Sequence, residues 1–307
     1  MNCKVCLANK VSKWATGLSD MRYDSVSKSY DYLICDECKL IWQRGLEDVL
    51  DLSAYYPKTY ETHDPTCFND NVKWPRRLLR SLSLSFYGYA NKINVPNFIK
   101  NTFGSFVGWL DKSNKIVDIG CGAGYYLSKM SFYGVQTIGY DFDNLTVEGF
   151  SKLNQKVEIG GIKEAINDGI DHSSVTLHHV IEHLKDPLGE IRLLLDSMTK
   201  GEQLIIITPN TSSLLFQKFE SLHWHMDAPR HTVLFSIESM KQFCKCLNLD
   251  SYELFTSNRS FFGCLENSYK YKFKKNISLF SKMRYIIKYL SGFVNGNGDE
   301  IILKIIK

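Results

Sequence analysis

Residues 117–124 read Val-Asp-Ile-Gly-Cys-Gly-Ala-Gly, a carboxylate followed by three alternating glycines at the end of a short apolar run. Ile116, Val117 and Ile119 have the composition of a buried strand, and Tyr125 to Phe132 begins a helix. Between them Gly120, Gly122 and Gly124 let the backbone turn tightly beneath a ligand. A dinucleotide-binding turn needs glycines at its first, third and sixth positions, and the sixth position counted from Gly120 is Tyr125. Asp118 stands where a carboxylate would be unhelpful beside a pyrophosphate and well placed to hold an ammonium group. The loop therefore favours a nucleoside-like ligand that carries an amine and no phosphate.

A second carboxylate, Asp141, closes the strand expected over 135–140, about twenty residues beyond the glycines, the distance at which such a group accepts both hydroxyls of a ribose. S-adenosylmethionine offers an amino-acid end to the first carboxylate and a ribose to the second. In these residues the chain resembles the class I S-adenosylmethionine-dependent methyltransferases. The resemblance continues through Val-Ile-Glu-His-Leu-Lys-Asp-Pro at 180–187, Lys200-Gly201, and the strand from Leu204 that ends in Pro209-Asn210. The stretch His-Trp-His-Met-Asp-Ala-Pro-Arg-His at 223–231 is similar to a segment of one branch that acts on small molecules, and 298–302 resembles that branch's closing strand. This likeness implies an α/β fold, a doubly wound, mostly parallel Rossmann-like sheet. It also implies S-adenosylmethionine as methyl donor, with Asp118, Gly120, Gly122, Gly124, Asp141 and His178 around it.

Local signals agree with that outline. Asp186 and Pro187 form a helix start, cap then first helical position, followed by Leu188, Ile191, Leu194 and Leu195 at helical spacing. Leu204 to Thr208 is a continuous apolar run, as expected of a parallel strand covered on both faces.

Near the amino terminus, Cys3-Lys-Val-Cys6 and Cys35-Asp-Glu-Cys38 are two Cys-x-x-Cys knuckles. Four thiolates at this paired spacing can close a tetrahedral zinc site of the ribbon type, with no open position for chemistry. A structural zinc is therefore expected at Cys3, Cys6, Cys35 and Cys38. No apolar leader precedes Cys3, so a reducing cytoplasm is expected and disulfides are disfavoured. The branch with the histidine-rich segment often carries such a module.

Methyl transfer requires alignment of an acceptor and, for an oxygen or carbon nucleophile, removal of its proton. Histidines cluster after the fourth core strand (His178, His179, His183) and after the fifth (His223, His225, His231). His225 or His231 is the expected base, because residues 224–231 combine an aromatic wall, the Asp227 carboxylate and the Arg230 guanidinium. His179, Glu182 and His183 are a disfavoured divalent-metal set, since the enzymes they resemble have Glu in place of His179.

With 307 residues, 44% hydrophobic and 23% charged, the chain can bury one catalytic core plus a small module. The expected organisation is a zinc-ribbon-like module over 1–60, a basic and aromatic connector or cap over 61–111, and the methyltransferase core over 112–262. A basic and aromatic insertion follows over 263–298, and a closing strand over 299–307. A formal charge of +4 is too mild to imply nucleic acid by itself. Two acid-free stretches, 71–110 and 267–298, mix lysine and arginine with aromatics and suit a peripheral membrane surface or a phosphorylated, lipid-linked substrate.

The expected acceptor is a small molecule, a sugar or other glycan-assembly intermediate. An RNA methyltransferase that grips tRNA or rRNA through its ribbon is the first rival. It is set aside because Asp20, Asp24, Asp31, Asp36 and Glu37 leave the ribbon without a basic face. A non-catalytic cofactor-binding scaffold is the second. The sequence sets no oligomeric state.

Overall fold

The computed structural model describes residues 2–23, 28–46, 55–56, 115–132, 135–143, 156–169, 174–294 and 297–307. The connector expected over 61–111 lies outside the described residues. Two sheets organise the rest. Strands β1 (Val11–Leu18), β2 (Tyr30–Cys35) and β3 (Ile41–Gln43) form an antiparallel ribbon, and β9 (Val233–Leu234) completes it from far along the chain.

The larger sheet has seven strands: β4 (Lys115–Ile119), β5 (Gln136–Asp141), β6 (Lys156–Ile159), β7 (Ser174–His178), β8 (Gln203–Pro209), β10 (Tyr252–Ser257) and β11 (Glu300–Ile306). Their order is β10-β11-β8-β7-β4-β5-β6. The run from β8 to β6 is parallel, and β11 enters antiparallel between β8 and β10. This is the doubly wound Rossmann-like sheet the sequence implies, with the order reversing at β4.

The apolar run of β8 shows why it sits centrally. Leu204 and Ile206 join one core cluster with Ile301 and Leu303, while Ile205 and Ile207 join another with Ile302 and Phe255. Successive side chains point to opposite faces, so a strand covered on both faces must be apolar throughout. Helix α1 (Tyr125–Phe132) follows the glycine turn, and α2 (Ile162–Asn167) follows β6. Helix α3 (Pro187–Ser197) begins as its cap predicts, with Asp186 accepting the Gly189 amide and Ile191, Leu194 and Leu195 buried.

Beyond β8 come α4 (Leu214–Phe219), α5 (Ile237–Cys246) and a helical hairpin, α6 (Phe261–Phe273) and α7 (Leu279–Val294). The ribbon is fastened to the core rather than tethered beside it. Trp42 and Ile41 of β3 pair with Val233 and Leu234 of β9, and Trp42 is fully buried. Cys3, Val5, Cys35 and Cys38 share one core cluster with Val117, Leu177 and Phe243.

Candidate functional site

The carboxyl ends of β4, β5 and β7 place the glycine turn where a doubly wound sheet accepts ligands. Gly120, Gly122 and Gly124 have φ of +69°, +49° and +67°, a region that disfavours side chains. A Cβ on Gly120 would also sit 2.5 Å from Val180 Cγ2, so the turn is closed against any larger residue. Asp141 holds the turn in shape: Oδ2 accepts the Gly122 amide at 2.8 Å and Oδ1 accepts the Asp143 amide at 3.0 Å. Next to it Phe142 leaves 77% of its surface exposed and packs against Gly161.

Asp118 is buried, with Oδ1 accepting the Thr176 hydroxyl at 2.6 Å and no ion pair among the described residues. Burial, with Asp141 adding to it against the Thr176 hydrogen bond, pushes its carboxyl up to about 7. A buried carboxylate without a cation is costly, and an ammonium ligand would relieve that cost. His178 ends β7 with its ring 4.2 Å, centroid to centroid, edge-on to Tyr126, and its Nε2 has no hydrogen-bond partner among the described residues. Burial keeps it neutral, well below the usual histidine range.

A second layer lies toward the ribbon. Glu182 is fully buried; its Oε2 accepts from Thr208 at 2.9 Å and its Oε1 meets His179 Nδ1 at 3.0 Å. His179, in the left-handed region at φ +57°, bridges Glu182 to Glu300, whose Oε1 lies 3.0 Å from Nε2 and 3.2 Å from Arg259. Burial opposes charge on His179, but the hydrogen bonds to Glu182 and Glu300 outweigh it and raise the imidazole to about 9. Glu300 is correspondingly held below its usual range, against its own burial, by Arg259 and His179.

Arg230 is buried and closes the layer. It donates to Asp20 at 2.7 and 2.8 Å, to Asp227 at 2.8 Å and to the Tyr55 carbonyl at 3.0 Å. Arg22 adds a 3.2 Å ion pair to Asp227 and lies 3.6 Å over the Trp224 ring. His183 Nδ1 lies 2.8 Å from the Tyr56 hydroxyl and 3.0 Å from the Arg230 carbonyl.

Both expected bases lie in this layer, and their environments differ. His231 Nδ1 sits 2.7 Å from the His225 carbonyl and therefore carries the proton, leaving the Nε2 lone pair 4.0 Å from both Glu182 Oε1 and Asp227 Oδ2. His225 instead has Nε2 at 3.2 Å from the Cys264 thiol. Burial drives both imidazoles well below the usual range, so both are neutral at pH 7. Of the disfavoured metal set, His179 is taken up by two carboxylates. Ligand atoms of Glu182, His183 and His231 gather within 4.8 Å of one another instead.

The four cysteines converge. Their sulfurs lie within 4.8 Å, with Cys3–Cys38 at 3.6 Å and Cys6–Cys35 at 3.5 Å. Sulfurs on a tetrahedral zinc stand about 3.8 Å apart, given metal–sulfur bonds of about 2.3 Å, whereas a disulfide needs about 2.05 Å. The Val5 and Cys38 amides point at Cys3 Sγ and Cys35 Sγ, each at 3.5 Å. The set fits a metal on its own geometry.

Sequence reasoning missed Asp20 as a partner of Arg230, the Thr176 contact to Asp118 and the Arg259–Glu300–His179 chain. Nothing local marks Asp20, which lies 210 residues from Arg230. Position after Asp141 could have flagged Phe142.

A family model described as a methyltransferase domain matches residues 93–254. The tRNA U34 carboxymethyltransferase of Campylobacter fetus subsp. fetus is 32% identical over 120 residues, which are 36% of this chain and 42% of that protein. The enzyme of the same name from Campylobacter lari is 24% identical over 163 residues, 49% of this chain and 54% of that protein. The chain thus spans about half the length of these curated relatives. A solved S-adenosylmethionine-dependent methyltransferase from Archaeoglobus fulgidus superposes with a TM-score of 0.46 at 19% identity, covering 66% of this chain and 90% of that one.

The relatives' names overturn the expected sugar or glycan-intermediate acceptor, and with it the small-molecule partner and the dismissal of nucleic acid. The acids of the ribbon do meet its cations, Asp31 facing Arg44 and Glu37 facing Lys10, with Asp20 buried on Arg230, but a surface for RNA need not lie on the ribbon. The acid-free stretch 267–298, expected to face a membrane or lipid-linked substrate, carries seven cations outside it. Among the described residues no helix is long and apolar enough to cross a membrane.

Proposed function

Because the chain belongs to the methyltransferase-domain family, whose model covers more than half of it, we propose that it binds S-adenosylmethionine at the glycine turn. From that sulfonium, or one carrying a carboxymethyl group, it modifies a nucleobase of a tRNA-like RNA. The observation that carries the donor half is the glycine turn flanked by Asp118, buried with no cation among the described residues, and Asp141. The RNA half rests on the names of the curated relatives.

The donor, when bound, supplies an electrophilic carbon on positively charged sulfur. Asp118 then receives the amino group and Asp141 the ribose hydroxyls, while the exposed Phe142 ring offers an apolar face to the adenine. His178 lines the same edge from β7. The acceptor atom forms its bond to the carbon as the carbon–sulfur bond breaks and its electron pair stays on sulfur.

The acceptor's proton goes to Nε2 of His231, the one nitrogen of that ring left with a lone pair, and Glu182 and Asp227 stabilise the imidazolium that results. His225 positions His231 through its carbonyl. We further infer that Cys3, Cys6, Cys35 and Cys38 hold a structural zinc that shapes the ribbon carrying Asp20 to Arg230.

Incubation with methyl-labelled S-adenosylmethionine and unfractionated tRNA, followed by nucleoside mass spectrometry, tests the reading. A nucleoside heavier by a methyl group, or by a carboxymethyl group with the matching donor, is expected. His231→Gln should lower kcat by about 100-fold or more with unchanged affinity for S-adenosylhomocysteine. Product binding without RNA modification would remove the RNA half; no product binding by folded protein would remove both.

A further inference from the structure

The helical hairpin α6–α7 has an inner face packed on the rest of the fold and an outer face that is exposed. On α7, Lys282, Tyr285, Ile286 and Tyr289 recur at the spacing of one helix face and turn inward: Tyr285 stacks on Phe219, Tyr269 meets Tyr285 edge-on, and Lys282 pairs with Glu266 of α6. The opposite face carries two rows at four-residue spacing. One is Leu279, Met283 and Ile287; the other is Phe280, Arg284 and Lys288.

All six are exposed, Leu279 by 77% and Phe280 by 74%. At the tip of the hairpin Lys270, Lys272, Lys274 and Lys275 surround an exposed Phe273. No acidic residue occurs from 267 to 298.

Position links this face to the reaction centre. The inner side of α6 holds the histidine loop directly: Ser268 accepts the Trp224 amide at 2.8 Å, Tyr271 stacks on Trp224 at 5.6 Å, and Cys264 meets His225 at 3.2 Å. The same hairpin therefore carries both the outer basic face and the contacts that hold the histidine loop.

Resting on the RNA reading above, we propose that the outer face of this hairpin is where the RNA substrate docks. Lysines of the tip neutralise phosphates, and Phe273 and Phe280 stack unpaired bases. The chemistry is that of a structured RNA with a single-stranded loop, whose backbone is polyanionic and whose splayed bases have apolar faces. The charge pattern selects this partner over a second protein copy, because two such basic faces would repel.

The test uses the full chain with unfractionated tRNA as probe and titrates salt. Lys274→Glu with Lys275→Glu should weaken binding by roughly tenfold or more and flatten the dependence of affinity on salt. Phe280→Ala should weaken it by roughly fivefold or more while leaving the salt slope unchanged. Both variants alter exposed residues, and unchanged heat of binding with S-adenosylhomocysteine shows that they remain folded. Wild-type protein that binds tRNA while both variants bind it equally well would overturn this docking surface and leave the RNA reading standing. Wild-type protein that modifies no RNA and binds none would remove both. Sedimentation with anionic vesicles that these substitutions abolish, without any effect on tRNA, would assign the face to lipid and overturn the proposal.

Discussion

The donor edge and the histidine layer lie at the same end of one sheet and are built in opposite ways. At the donor edge most parts come from 117–143, a strand, a turn, a helix and a strand in succession, with Thr176 and His178 of the neighbouring β7 beside them, and Asp141 is tied to Gly122 only 19 residues away. The histidine layer is assembled from remote pieces. Arg230 meets Asp20 across 210 residues, Gln43 donates its amide to the Thr232 carbonyl, and Glu300 reaches His179 from the last strand. One region depends on backbone conformation and a single buried carboxylate, the other on a cluster of buried charges and on the ribbon being folded. The two should therefore fail separately.

The largest effect is expected at the four-cysteine cluster, where a zinc is proposed. Cys35→Ser with Cys38→Ser should reduce bound zinc from one per chain to near none and destabilise the ribbon by several kcal/mol, because metal binding and folding are one process in such modules. Since β3 pairs with β9, the histidine layer should go with it, and with it the RNA modification proposed above. The separate glycine turn should keep measurable affinity for S-adenosylhomocysteine. Calorimetry beside a metal assay decides this; product binding that disappears with the zinc would show that the two regions are one unit.

Next in size is the buried ion cluster. Asp20→Ala removes two of the hydrogen bonds to Arg230 and leaves its guanidinium buried with Asp227. Breaking such a cluster costs about 3–5 kcal/mol. Denaturant unfolding should show that loss, with the donor site again less affected than the rate.

This contrast also explains how much was legible in the residues. The glycine turn, α1, the α3 cap and β8 follow from short-range patterns, and the mostly parallel, doubly wound character of the sheet follows from their alternation, whereas the insertion of β11 between β8 and β10 does not. The four cysteines could be paired by spacing alone. Arg230 and His231 could be marked as important, but their surroundings could not be read, because Asp20 carries no local motif and its burial exists only once the ribbon docks. The substrate class was not legible either, because the seven cations of 267–298 suit anionic lipid and RNA alike and their spacing does not select between them.

A smaller effect compares two glycines with the same backbone. Gly17 in β1 and Gly120 both have φ of +69°, but nothing lies within 4 Å of a Cβ on Gly17, whereas Val180 lies 2.5 Å from one on Gly120. Left-handed strain alone costs about 1–2 kcal/mol. Gly17→Ala should lose that amount with donor affinity intact. Gly120→Ala should lose more and weaken S-adenosylhomocysteine binding by roughly tenfold or more. Equal behaviour of the two variants would show that strain, not space beneath the ligand, accounts for the Gly120 requirement.

The finest distinction is a dependence on pH. The Asp118 carboxyl is raised from 3.8 to about 7 by burial, so the folded protein holds that proton more tightly than the unfolded chain. Its contribution to stability without ligand is thus complete below about pH 4 and lost as pH rises through about 7. Ligand binding runs the other way, because an ammonium group needs the ionised carboxylate. Affinity for S-adenosylhomocysteine should climb between pH 5.5 and about 7 and level off above it, and Asp118→Asn should be weak and flat across the range. If wild-type affinity is already flat there while binding stays strong, the amino group is held by something other than Asp118. The donor edge would then draw its contact to the amino group from a residue other than its own buried carboxylate, as the histidine layer draws its contacts from remote pieces of chain.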